Sequence, residues 1–306
     1  MHIRDLFEQH ATTFSFEFFP PKTEAASDAL FATIRDLQAL KPSFVDVTYG
    51  AGGSTRDLTD ALVDRIQQET DLETVPHLTC VCHGGDELDA ILERWTRRGV
   101  GNILALAGDP PRDRPDYDRG RDACRYAADL VRYIKAFSER HGHPDPRGFG
   151  IGVAGFPEGH PATSNRLTEL DFLKAKVDAG ADYICTQLFF DNRDFYDFRD
   201  RCELAGIDIP IVAGIMPVTS KQSMQRMADL AAGARYPASL LRSVQRAFDS
   251  GGEDAVARVG VHWATEQCRD LLDHGVDGLH FYTLNRSDAT RHIYESLGVR
   301  TSAALA

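Results

Sequence analysis

Glu17 is the residue around which chemistry can be built. It lies in FSFEFFPP, where Phe14, Phe16 and Phe18 alternate with Ser15, Glu17 and Phe19 before Pro20 and Pro21. Period-two alternation with aromatic enrichment reads as a β-strand that the prolines stop. Glu17 then points away from the face that carries Phe16 and Phe18. A carboxylate among four phenylalanines loses hydration, which favours its neutral form and suits a general acid near neutral pH. The bland alternative is a strand-end glutamate that reaches solvent or pairs with a lysine.

Other reactive residue types are scattered. Cys80, Cys82 and His83 invite a metal reading, yet no second ligand pair of matching spacing follows them. The six cysteines (Cys80, Cys82, Cys124, Cys185, Cys202 and Cys268) form no framework, which suits reduced thiols in a cytoplasmic protein. No Walker motif, GxSxG elbow or HExxH pair occurs. A dinucleotide-binding GxGxxG belongs straight after a first strand, and Pro20-Pro21-Lys22 stands there instead.

The elements that must position Glu17 follow one rhythm. Eight times a short apolar run, starting at Phe14, Phe44, Val75, Asn102, Gly150, Tyr183, Ile211 and Gly278, precedes a longer stretch of helical period. That alternation predicts an α/β fold, a (βα)8 TIM barrel, as one domain over residues 1–306. A doubly wound open sheet and a two-domain chain are the alternatives. Thr23 or Ser27, Ser54, Asp86 and Ser220 open helices, and Gly99, Gly142, Gly180, Gly206, Gly233 and Gly275 close them. The seventh strand is followed by room for helices near 220–230, 237–248 and 252–274, hence an extra helix or two before the eighth strand. Asp109 to Asp122 is a long Pro-rich, charged connection, and Gly50, Gly52 and Gly53 make a loop that lets a ligand approach the backbone or simply turns into a helix.

With 306 residues, 42% hydrophobic and 26% charged, the chain can bury a sizeable core, and a formal net charge of -12 argues against nucleic acid or an anionic membrane as partner. A small molecule is the expected partner. No apolar run approaches the roughly 18 residues of a membrane span, and the opening MHIRDLFEQH reads as a short charged helix, so a cytoplasmic location is expected.

Barrel chemistry sits at the carboxyl ends of the strands. Those ends offer Glu17; Thr48 and Tyr49; His77 and Thr79; Gly108 and Asp109; Glu158 and His160; Gln187; and Tyr282, Asn285 and Arg286. Each has a dull explanation alone. Together they lack a metal cluster and a nucleophile paired with a base, and amount to a binding surface for an organic cofactor with one acid.

FSFEFFPPKT, VDVTYGAGGSTR, PHLTC, LALAGDPP, FPEGHP, LKAKVDAGADYICTQLFFD, GIMPVTS and LHFYTLNR, in this order from about Phe14 to Val299, closely resemble the motif series of methylenetetrahydrofolate reductase. The resemblance implies a barrel that holds FAD without a Rossmann fingerprint. It also implies ping-pong reduction of 5,10-methylenetetrahydrofolate to 5-methyltetrahydrofolate with NADH or NADPH, in the short bacterial catalytic form and as a homo-oligomer. By motif match Glu17 is the general acid toward folate N10, Asp109 is an acid near the flavin pyrimidine and the pterin, and Gln187 faces nicotinamide and pterin. Arg286, with Gln222 or Ser223, matches folate contacts. Thr48, Tyr49, His77, Gly108, Ala127, His160, Glu169 and Lys176 match flavin contacts. Three positions depart from the pattern: Ala107 replaces the usual Arg before Gly-Asp, Phe156 replaces a frequent Tyr, and Met227 stands near where an aromatic can stack on the dinucleotide.

Overall fold

The computed structural model describes the chain apart from residues 51–55, 112, 113, 115, 164, 232, 233, 305 and 306 and the side chains of 225, 226 and 228–230. Gly52, Gly53, the helix start Ser54 and the helix stop Gly233 lie outside the described residues. All eight anticipated strands form: β1 (Thr13–Phe18), β2 (Phe44–Val47), β3 (Thr74–Thr79), β4 (Asn102–Leu106), β5 (Gly150–Gly155), β6 (Tyr183–Thr186), β7 (Ile211–Ile215) and β8 (Gly278–Tyr282). They run parallel in chain order and close into a barrel through β1 and β8.

The helices are α1 (Ile3–Gln9), α2 (Glu24–Gln38), α3 (Arg56–Glu69), α4 (Gly85–Arg97), α5 (Ala127–His141), α6 (Arg166–Asp178), α7 (Asn192–Leu204), α8 (Lys221–Leu230), α9 (Ala238–Asp273) and α10 (Asp288–Ser296). Thr23 caps α2 by accepting from the Ala26 amide at 3.2 Å, and Ser220 caps α8 in a reciprocal box with Ser223. Asp86 is not a cap. It falls in the first turn of α4, after Gly84, whose amide donates to the Glu87 carboxylate at 3.1 Å. The expected stops Gly99, Gly142, Gly180, Gly206 and Gly275 all have positive φ, which glycine adopts without a Cβ clash.

Two layers of core separate by strand period. Phe14, Phe16 and Phe18 face outward into the layer between strands and helices, where Phe16 meets Phe281 at 5.9 Å and Tyr294 at 6.3 Å between ring centroids. The inward positions of the lower barrel, Phe44, Val75, Leu104, Tyr183, Cys185 and Val212, pack against Ile3 and Leu6 of α1. The short charged helix is therefore a plug: its apolar face closes the amino end of the barrel, and the Ile3 amide donates to Asn102 Oδ1 at 2.7 Å.

The extra helices precede β8 as anticipated. α9 breaks at Gly251 and Gly252, the latter at φ 62° and ψ −154°, which separates the two segments read from the sequence. Its second half lies directly on the chain after β7, for a Cβ at Gly260 would sit 1.7 Å from the Val218 carbonyl oxygen.

Candidate active site

The phenylalanines do not wall Glu17. Alternation sends them outward, and Glu17 points into the barrel, where it is 6% exposed among polar groups from neighbouring strands. Glu17 Oε2 lies 3.8 Å from His77 Nε2 of β3 and 3.9 Å from His280 Nε2 of β8. Beneath it, His280 Nδ1 shares a 2.8 Å hydrogen bond with Ser15 Oγ and stands 3.3 Å from Asp46 Oδ2, an ion-pair distance without hydrogen-bond alignment. The backbone is pinned as well, since Thr283 Oγ1 donates to the Glu17 carbonyl at 2.6 Å.

Burial sorts these groups. It pushes the Asp46 carboxyl up to about 7, against the opposing pull of His280. It pushes His77 down to about 4, so that imidazole is neutral at physiological pH. Burial would also lower His280, but its interactions with Glu17 and Asp46 outweigh burial and raise it. The Cys185 thiol nearby is held well above its ordinary range by burial, and stays protonated.

Asp46 and His280 lie within the strands, apart from the strand-end residues that the sequence singles out. The signal was present: Val45 and Val47 flank Asp46, Leu279 and Phe281 flank His280, and all four pack outward. The polar residue between must face the barrel interior.

The remaining candidates divide by exposure. Thr48, His77 and Tyr49 are all buried, and the Tyr49 hydroxyl lies 2.9 Å from His83 Nε2 and 3.2 Å from Arg56 Nε. Half-buried Gln187 accepts from the Leu188 amide through Oε1 at 2.9 Å, and its own amide continues β6 onto the Gly155 carbonyl at 2.8 Å. Asp109, Gln222 and Arg286 are exposed, Asp109 and Arg286 in the connections after β4 and β8 and Gln222 in the first turn of α8. Glu158 turns sideways to the Arg235 amide at 2.6 Å. Met227 is buried in an apolar cluster with Met224, Leu240 and Val244, so it offers no face for dinucleotide stacking.

A second group gathers beyond β5. His160 donates its amide to Glu169 Oε2 at 2.7 Å, Phe156 packs edge-on against the His160 ring at 4.8 Å, and Lys176 Nζ donates to the Ala154 carbonyl at 2.5 Å. Burial lowers the Lys176 ammonium to about 8, with Glu169 opposing. Because His160 Nδ1 accepts from the Ala162 amide, the neutral ring carries its proton on Nε2. Ala127 opens α5, half-buried.

These residues suit a polar organic cofactor. Buried His77 Nε2, Thr79 Oγ1, Glu169 Oε1 and Arg119 Nε have no hydrogen-bond partner in the protein, and buried polar atoms are normally satisfied. Gly108 keeps the wall thin: at φ 74° a Cβ would fall 2.6 Å from Val81 Cγ2 and 2.8 Å from Thr79 Cβ. Where Ala107 leaves out a guanidinium, Arg119 Nη2 reaches the Ala107 carbonyl at 3.0 Å.

A closed parallel barrel with a buried acid and two imidazoles inside its carboxyl end is a (βα)8 barrel with titratable groups at the end where barrel chemistry sits. The chain belongs to the methylenetetrahydrofolate reductase family, which its residues 2–298 match. It is 40% identical over 290 residues to the 5,10-methylenetetrahydrofolate reductase of Escherichia coli K12, covering 94% of this chain and 90% of that protein. It is 40% identical over 306 residues to methylenetetrahydrofolate reductase (NADH) 1 of Arabidopsis thaliana, covering 97% of this chain and 50% of that one. The chain thus spans about half the length of its plant relative. Among solved structures, an uncharacterised Clostridium thermocellum protein that binds two copies of 5-methyl-5,6,7,8-tetrahydrofolic acid superposes with a TM-score of 0.66 over 96% of both chains. At 14% identity that likeness concerns the fold alone.

Proposed function

We propose that this protein reduces 5,10-methylenetetrahydrofolate to 5-methyltetrahydrofolate, with FAD as cofactor and NADH or NADPH as donor in a ping-pong sequence. The observation that carries the reading is Glu17, a buried carboxylate inside the barrel with two imidazoles within 4 Å, in a chain of this family. Bound FAD would supply the hydride relay between the dinucleotide and the folate carbon.

The chain's own task is the proton. The methylene carbon becomes an electrophilic iminium only when the five-membered ring opens at N10, and an amine nitrogen leaves readily only when protonated. Glu17 delivers that proton from a site with little water to compete for it. Neutral His77 and the Thr79 hydroxyl offer hydrogen bonds to the flavin. Gly108 lets backbone approach the ring, while His160, Glu169 and Lys176 hold the ribityl and pyrophosphate portion, with Thr48, Tyr49, Ala127 and Phe156 as further contacts. Asp109, Gln187, Gln222 and Arg286 receive the folate, and Gln187 also the nicotinamide. The reading carries with it one barrel domain, a cytoplasmic location and a homo-oligomer, the last checked by light scattering.

Glu17→Gln tests the assignment. The variant should still bleach its flavin with NADH or NADPH, but folate turnover should fall at least about 100-fold. Near-normal reduction of methylenetetrahydrofolate by the variant would remove Glu17 from the mechanism. Anaerobic mixing with each dinucleotide in turn identifies the donor.

A further inference from the structure

Below Glu17 the barrel holds a second acid that the proposed reaction does not use. Asp46 is 0% exposed, both its carboxylate oxygens lack a hydrogen-bond partner, and it faces His280 at 3.3 Å. Register places Glu17 of β1 beside Asp46 of β2 and beside Tyr282 of β8. The other titratable groups turned to this floor are His77, Cys185, Tyr183 and Tyr282. His77 is neutral, and burial keeps the thiol and both phenols protonated. Among the described groups facing this floor, that leaves Asp46 and His280, with Glu17 next to the ring, as the line along which a proton can pass.

We propose that Asp46 and His280 are positioning residues that hold one proton beneath Glu17 and return it to Glu17 once Glu17 has protonated the substrate. This rests on the reading of Glu17 as the acid. The transfer balances without any electron changing hands. The Asp46 Oδ2–H bond breaks as His280 Nδ1–H forms, and His280 Nε2–H breaks as Glu17 Oε2–H forms, so one negative charge passes from Glu17 to Asp46. Ser15 holds the ring at rest by donating to Nδ1; for the transfer its hydroxyl turns off the single Nδ1 lone pair as the Asp46 carboxyl rotates onto it from 3.3 Å, and afterwards Oγ accepts from Nδ1–H. The 3.9 Å from Nε2 to Glu17 exceeds a direct hydrogen bond, and a small closure or one bridging water completes the path. Burial brings Asp46 to about 7, and the neighbouring acids raise His280, so both groups hold a proton more firmly than they would in water. The pair refills through Glu17 when product leaves the mouth.

Two measurements test this, one of them independent of turnover. In protein labelled with 15N-histidine, with the His280 signal assigned by its loss in His280→Gln, the imidazole of the wild type should titrate above the ordinary histidine range. In Asp46→Asn its midpoint should fall by about one pH unit, because Asn cannot ionise to face the imidazolium. In anaerobic single turnover, Asp46→Asn and Asp46→Ser should slow folate reduction about tenfold more than flavin reduction by the dinucleotide, and the slowing should grow as pH rises. A His280 midpoint unchanged by Asp46→Asn overturns the pairing. Equal slowing of both half-reactions, or none, overturns the proton return. A wild-type protein that binds flavin yet leaves methylenetetrahydrofolate unreduced defeats the parent reading instead, and the histidine titration then still decides whether Asp46 and His280 share a charge.

Discussion

His77 shows how one buried side chain links the site to stability. Its imidazole titrates near 4 in the folded chain, and near its ordinary 6.5 once unfolded, because burial opposes the charged ring. Between those values the unfolded chain binds the extra proton. Stability from this group is therefore full above 6.5 and lost as pH falls toward 4, by on the order of 3 kcal/mol. Asp46 has the opposite sign: its raised carboxyl takes up its proton in the folded state first, so its contribution declines as pH rises from the ordinary carboxylate range toward 7. His77→Gln should flatten the loss on the acid side, read as the change in urea midpoint between pH 6.5 and 4.5. A variant with the wild-type acid slope would show that His77 is not held neutral by the fold.

At the scale of elements, glycines decide how closely pieces of backbone approach the site. Gly260 lets α9 lie on the connection after β7, where the same helix buries Leu240, Val244 and Val256 against Met216, Val218 and Met224. Gly260→Ala would press a methyl group into the Val218 carbonyl, a backbone atom that no rotamer can move aside. It should cost about 3 kcal/mol in chemical denaturation and weaken binding at the mouth more than it disturbs the floor. An alanine variant of unchanged stability would mean that α9 sits further out. The helix starts were partly legible for the same local reason. Thr23 and Ser220 cap through their own side chains, whereas α4 begins at a glycine whose amide is satisfied by Glu87 three residues on, a longer-range arrangement than a single cap residue announces.

For the whole molecule, the open question a barrel must answer is how its amino end is closed. Here α1 closes it, with Ile3 fully buried in one cluster with inward residues of five strands. Ile3→Ala should destabilise the protein by roughly 2–5 kcal/mol, whereas Leu204→Ala, at a position 88% exposed, should stay within about 0.5 kcal/mol. Thermal melts of the two variants check both numbers, and equal effects would show that the plug contributes nothing beyond surface. Among the described residues no helix is long and apolar enough to cross a membrane.

Period and punctuation in the chain determined eight strands, their order between helices, the glycine stops and the face on which Glu17 stands, because each depends on neighbours within a few residues. Closure of β1 onto β8 brought together what no local pattern joins: Ser15 with His280, His280 with Asp46, and both imidazoles with Glu17. Those contacts span separations of up to 265 residues. The proton affinities of Asp46, His77 and His280 follow from burial and charge imposed by that closure, and so only the assembled barrel could set them.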